Sequence, residues 1–130
     1  MTRVFSKLSQ ERLDSCAPQL RLVMRAVLEQ QDCTILCGHR NQEDQEKAFA
    51  EGKSKLHWPH GRHNSFPSYA LDAAPYPIDW TDRERLILFA GRVLGTAAMM
   101  GVNLRWGGDW DGDGLTKDET FQDLVHFELI

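Results

Sequence analysis

At 130 residues the chain fits one domain and has no comfortable room for two, since domains usually run to ~100–150 residues. Hydrophobic residues at 42%, charged residues at 26% and a mean hydropathy of −0.45 exclude a membrane-embedded or disordered chain and predict a proper buried core. A net charge of −4 and a pI near 5.7 argue against nucleic acid as a partner, because phosphate neutralisation needs a clustered excess of Lys and Arg.

Residues 1–9 lack the continuous apolar stretch of a secretory signal, so the expectation is a chain with no export route of its own that starts in the cytoplasm. Cys16, Cys33 and Cys37 form no CxxC pair and read as reduced, mostly buried thiols. From Pro18, residues Leu20, Val23, Met24, Val27 and Leu28 recur at helical spacing and predict a helix over 17–30. A β-prone run follows at 33–37 and ends at Gly38, which puts His39 and Arg40 at a strand exit. Asn41 as N-cap and Gly52 as stop frame a second helix over 42–51.

Residues 53–69 carry His57, His60 and His63 with neither period, the pattern of a long functional loop. Tyr69 to Ala74, containing Asp72, returns to a strand pattern that Pro75 and Pro77 break. Thr81-Asp-Arg-Glu84 reads as a capping box for a helix over 82–100, and the chain's longest nearly apolar run, Val93 to Val102, is about half the ~20 residues a membrane span needs. Short strands at 104–106 and 124–130 then flank a loop rich in Asp and Gly.

The chemistry-bearing residues are His63, Asp72 and the terminal Asp123-Leu-Val-His126-Phe-Glu128. Two imidazoles and one carboxylate, with a fourth position left to water, are the ligand types of a catalytic zinc site. Asp123, three residues before His126, is placed to act as a base on water. Spacing alone also fits a surface histidine, a turn carboxylate and a satisfied strand histidine, and does not choose between the two accounts.

Gly61-Arg-His63-Asn-Ser-Phe-Pro-Ser-Tyr-Ala70-Leu-Asp72, with Asp123-x-x-His126-x-Glu128, resembles the D-alanyl-D-alanine carboxypeptidase-like zinc peptidases. The likeness is strongest to their phage branch, the L-alanyl-D-glutamate endopeptidases used as endolysins. It spans nearly the full chain, Gly38-His-Arg40 and Trp106-Gly-Gly-Asp-Trp110 included. The resemblance implies zinc on His63, Asp72 and His126, Asp123 as general base and then acid, and Arg40 holding a substrate carboxylate or the developing oxyanion. Glu128 is either a partner that orients a ligand or the mate of a nearby Arg. Two departures stand out: Gly61 replaces the family's usual Ser, and the gap from His63 to Asp72 is two residues longer than the common form. Keeping the shorter spacing puts Ser65, a poor zinc ligand, at the first position; His57 and His60 are the fallback ligands or else line the cleft entrance.

The resemblance further implies an α+β fold of the hedgehog/D,D-peptidase type, in which a small, mostly antiparallel sheet carries the zinc site and helices pack on its other side. The expected protein is one catalytic domain over 1–130, a monomer that cuts the peptidoglycan stem peptide, most simply between L-Ala and D-Glu, after a separate pore releases it to the wall. The rivals are a D,D-carboxypeptidase or dipeptidase acting on D-Ala termini, and a zinc-bearing phage tail module without catalysis. Asp109, Asp111 and Asp113 resemble the opening of a calcium loop, although its twelfth position is Thr120 in place of a bidentate Glu; the other reading is a solvated acidic turn. Among the aromatic residues Trp110 is the best candidate to line a substrate groove, and Lys53, Lys55 and Arg62 form a local basic group that suits an anionic wall.

Overall fold

A computed structural model describes residues 2–117, 119 and 121–130. Among these residues, four helices and four strands follow in the order α1 (Lys7–Asp14), α2 (Pro18–Gln30), β1 (Cys33–Cys37), α3 (Gln42–Ala50), β2 (Ala70–Pro75), α4 (Arg83–Met99), β3 (Leu104–Gly107) and β4 (Asp123–Leu129), with a 3-10 turn at Arg62–Asn64. The strands form one sheet in the order β1-β2-β4-β3, and every neighbouring pair is antiparallel. The α+β class is therefore as expected, and the sheet is antiparallel throughout.

The helices follow from their apolar stripes. Leu20, Val23, Met24, Val27 and Leu28 bury one face of α2, and Leu86, Phe89, Ala90, Val93 and Ala97 bury one face of α4. These faces close over Ile35, Leu71, Ala73 and Phe127 of the sheet, all essentially solvent-free. Alternation along β2 and β4 then sends Asp72, His126 and Glu128 to the opposite face, away from the helices. Full burial of each large apolar side chain contributes roughly 1.5–3 kcal/mol, so the register is held firmly. No helix among the described residues is long and apolar enough to cross a membrane.

Two local features depart from expectation. Helix α1 was not anticipated, because only Ser9 and Leu13 are buried along its eight residues and Leu8 is exposed, so it has almost no apolar period; the Ser6 hydroxyl starts it by accepting the Ser9 N–H. Helix α4 is capped by Asp82, whose side chain accepts the Arg85 N–H, and Thr81 is held instead by Asp79, which shifts the cap one residue from the anticipated box. All three cysteines are free, with Cys16 and Cys33 buried and Cys37 half-buried; burial pushes the Cys16 and Cys33 thiols up to about 12.

Candidate metal centre

The sheet register assembles the site. Asp72 on β2 pairs directly with His126 on β4 and, across the other edge, with Cys37 on β1. His63 arrives from the 3-10 turn, where its carbonyl accepts the Arg40 N–H at 2.8 Å and its Nδ1 lies 2.7 Å from the Gly38 carbonyl. Gly38 is obligatory there: a Cβ would stand 2.2 Å from the Arg12 carbonyl at the end of α1.

His63 Nε2, His126 Nδ1 and Asp72 Oδ1 stand at the corners of a triangle with every side 3.2 Å. Tetrahedral coordination at ~2.0–2.1 Å separates neighbouring donors by roughly 3.3 Å, so the triangle has the size a zinc ion needs. The outer ring nitrogens are already committed as N–H donors, His63 Nδ1 to the Gly38 carbonyl and His126 Nε2 to Glu128 Oε1 at 2.8 Å. The inner nitrogens therefore face each other as lone pairs, an arrangement that calls for a cation between them. Without a metal, protons on the rings supply the positive charge. Burial opposes charge on both rings, but the Asp72 carboxylate outweighs it, leaving His63 raised to about 10 and His126 to about 9. Asp72 itself is held well below the usual carboxylate range despite its burial.

Glu128 contacts both a histidine of the triangle and two arginines. One oxygen orients His126 and the other meets Arg62 Nε at 3.4 Å and Arg105 at 3.7 Å. Burial pushes its carboxyl up, and these partners more than reverse that, so it stays ionised below its ordinary value. Asp123 shares a cluster with Asp72 and His126 in which the candidate ligand atoms lie within 4.8 Å of one another. Burial, then the Asp72 charge, raise its pKa. Arg40 reaches towards Asp72, with 3.8 Å between NH2 and Oδ2, while NH1 donates to Gln45 Oε1 at 3.1 Å.

Sequence reasoning missed Gln45 and Cys37. Gln45 is fully buried on α3; its amide nitrogen donates to Ser54 Oγ and the Leu56 carbonyl, and its oxygen accepts from Arg40 and Asn64. One side chain thus ties together Arg40, the neighbour of His63 and the loop at 54–56. Cys37 forms a further donor cluster with His63 and Asp72. No local pattern marks the first, since α3 buries only Gln45 and Ala48, and nothing short of the sheet register reveals the second.

The fallback residues are elsewhere. His57 is bonded to Glu46 at 2.7 Å and stacks on Phe49, Ser65 Oγ donates to the Pro67 carbonyl, and His60 is exposed. Neither His57 nor His60 lines the cleft, because the His57 loop is turned towards α3. Trp110 does line it, with its ring 5.4 Å from that of His126 and its Nε1–H donated to the Phe121 carbonyl. The carboxylates of Asp109, Asp111 and Asp113 come together within 4.8 Å and accept loop N–H groups, among them those of Gly114 and Leu115. The twelfth position, Thr120, lies outside the described residues.

Two grooves flank the centre. One, of about 200 Å³, is bordered by Lys55, Arg62, Trp110 and Glu128; the other, of about 640 Å³, by Leu36, Trp80 and Val125. Arg40, Lys53, Phe121 and Asp123 border both, so the cleft continues past the site on each side.

Comparison with known proteins adds three findings. The family model described as phage L-alanyl-D-glutamate peptidase matches residues 1–130. The L-alanyl-D-glutamate peptidase of Escherichia phage T5 is 32% identical over 138 residues, with 100% of both chains covered. The crystal structure of the Serratia marcescens L-Ala D-Glu endopeptidase ChiX superimposes with a TM-score of 0.77 at 25% identity, over 99% of this chain and 91% of that one.

Proposed function

The chain belongs to the phage L-alanyl-D-glutamate peptidase family, and from that premise we propose that it is a zinc endopeptidase cutting the L-Ala–D-Glu bond of the peptidoglycan stem peptide. The observation that carries the metal assignment is the 3.2 Å triangle of His63 Nε2, His126 Nδ1 and Asp72 Oδ1. The reading takes 1–130 as one catalytic domain, supported by the family match over that span. Its wider role is that of an endolysin working as a monomer on the wall after release through a separate pore.

When bound, zinc supplies Lewis acidity for the scissile carbonyl and makes water acidic enough to lose a proton near pH ~7. Asp123 accepts that proton on its carboxylate and hands it to the departing amine nitrogen, so that hydrolysis consumes one water and leaves the aspartate as it began. Its raised pKa suits the second transfer. Arg40, held by Gln45, offers its guanidinium to the oxyanion or to a substrate carboxylate. Glu128 fixes the tautomer and tilt of His126.

The continuation of the cleft on both sides of Asp123 favours cleavage within a chain over removal of a terminal D-Ala, which calls for a closed end around a free carboxylate. Mass spectrometry of peptidoglycan digested by zinc-loaded protein, beside a chelator-treated control, tests the whole reading. New D-Glu amino termini that vanish with chelator support it. Release of D-Ala alone establishes the carboxypeptidase, and a folded, zinc-bound protein that yields no product is the binding module. Asp109, Asp111 and Asp113 come together either as a calcium site or as a solvated acidic turn; calorimetry with calcium on zinc-loaded protein decides, and no heat at millimolar calcium removes the calcium reading.

A further inference from the structure

We propose that Lys55 reads the free carboxylate of the glutamyl unit next to the scissile bond, an inference that rests on the L-alanyl-D-glutamate reading above. Glutamate has two carboxyl groups. Whichever one carries the chain onward, the other stays ionised a few bonds from the nitrogen that hydrolysis releases, and a cleft built for this unit needs a cation to meet it.

Four cations border the groove beside the metal centre: Arg40, Lys53, Lys55 and Arg62. Two are paired, Arg62 with Glu128 at 3.4 Å and Lys53 with Glu51 at 3.3 Å, and Arg40, held by Gln45 at 3.1 Å and lying 3.8 Å from Asp72, is turned to the reaction centre itself. Lys55 has no ion pair among the described residues; its Nζ rests 4.8 Å above the centroid of the Phe121 ring. An aromatic face holds an ammonium in place without neutralising it, which leaves its N–H donors for an incoming anion. Phe121 borders both grooves and stands two residues before Asp123, so the charge is poised at the edge of the reaction centre.

The backbone around Lys55 is fixed as well. Its two neighbours, Ser54 and Leu56, both accept from the amide of Gln45, the residue that also holds Arg40. The opposite groove adds Leu36, Trp80 and Val125 but no cation beyond the shared Arg40 and Lys53. The geometry thus gives the cleft a polarity, with the glutamyl half on the Lys55 side and the alanyl half towards Trp80.

The test uses two N-acetyl-L-alanyl-D-glutamyl peptides continued through the γ-carboxyl, one with a free α-carboxylate and one with an α-carboxamide. Zinc-loaded wild type should favour the acid by about tenfold in kcat/KM, with the difference in KM. Lys55→Met, which keeps the apolar stem over Phe121, should bring the ratio close to one, and Lys55→Arg should restore it. Equal rates for both peptides with wild type, or an undiminished preference in Lys55→Met, overturn the assignment and leave the peptidase reading standing. No cleavage of either peptide by folded, zinc-loaded wild type overturns that reading and this inference with it.

Discussion

Asp123 and His126 stand three residues apart on β4, yet their removal should fail in different ways. Asp123→Ala takes away the proton carrier and leaves the three donors in place, so turnover should fall by about 10²–10⁴-fold while metal analysis still finds zinc. His126→Ala opens the triangle, and zinc itself should be lost. Wild-type turnover in zinc-loaded Asp123→Ala sinks the assignment of the base. Spacing alone left the residues in this contrast ambiguous, and it was the resemblance of Asp123-x-x-His126 and of the His63–Asp72 segment to a peptidase family that singled them out; the structure brings His63, Asp72, Asp123 and His126 together through the sheet register. Gln45 was not legible: its importance lies in four hydrogen bonds to residues up to 19 positions away, which no local pattern records. His57 misled for the opposite reason, since its residue type matched a ligand while its partners, Glu46 and Phe49, were those of a loop anchor.

The elements that could be read were those with an apolar period of their own or, as in α3, a clear cap at Asn41 and a stop at Gly52. Helices α2 and α4 and strand β1 carry apolar stripes that reach the core, and their bounds fall within a residue or so of expectation. Helix α1 has no such stripe and was invisible. Register was also out of reach, because it depends on irregularities such as the shift between Trp106 and Gly107 that sets Gly107 opposite Asp123. At Gly107 an added Cβ would lie 2.0 Å from the Asp123 carbonyl oxygen, a backbone atom that cannot simply rotate away. Gly107→Ala should therefore push β4 outward at its first residue, lowering kcat by about tenfold or more while the proposed zinc ligands, His126 further along the strand, Asp72 on β2 and His63 on the 3-10 turn, keep the metal bound. Unchanged kcat in a folded Gly107→Ala protein shows that this close approach does not position the base.

One sheet serves two purposes in this molecule: its apolar face is sealed by α2 and α4, and its polar face gathers charge that must be balanced. In the metal-free protein the balance comes from protons on His63 and His126, whose folded-state values of about 10 and about 9 lie above the ordinary 6.5. Raised histidine values mean that this contribution to stability is complete below pH ~6.5 and is lost as pH rises through about 9 to 10. Zinc needs the same nitrogens unprotonated, so it competes with those protons and binds more tightly as pH rises. Zinc at a hundredfold excess over its Kd stabilises by about 2.7 kcal/mol, on the order of 10 °C for a chain of this size. The difference in Tm between zinc-loaded and chelator-treated protein should accordingly be smallest near pH 6 and widen towards pH 9. Calorimetric melts across that range decide it: a Tm difference that is flat with pH separates the metal from the two histidines, and one that shrinks as pH rises contradicts proton competition at the triangle.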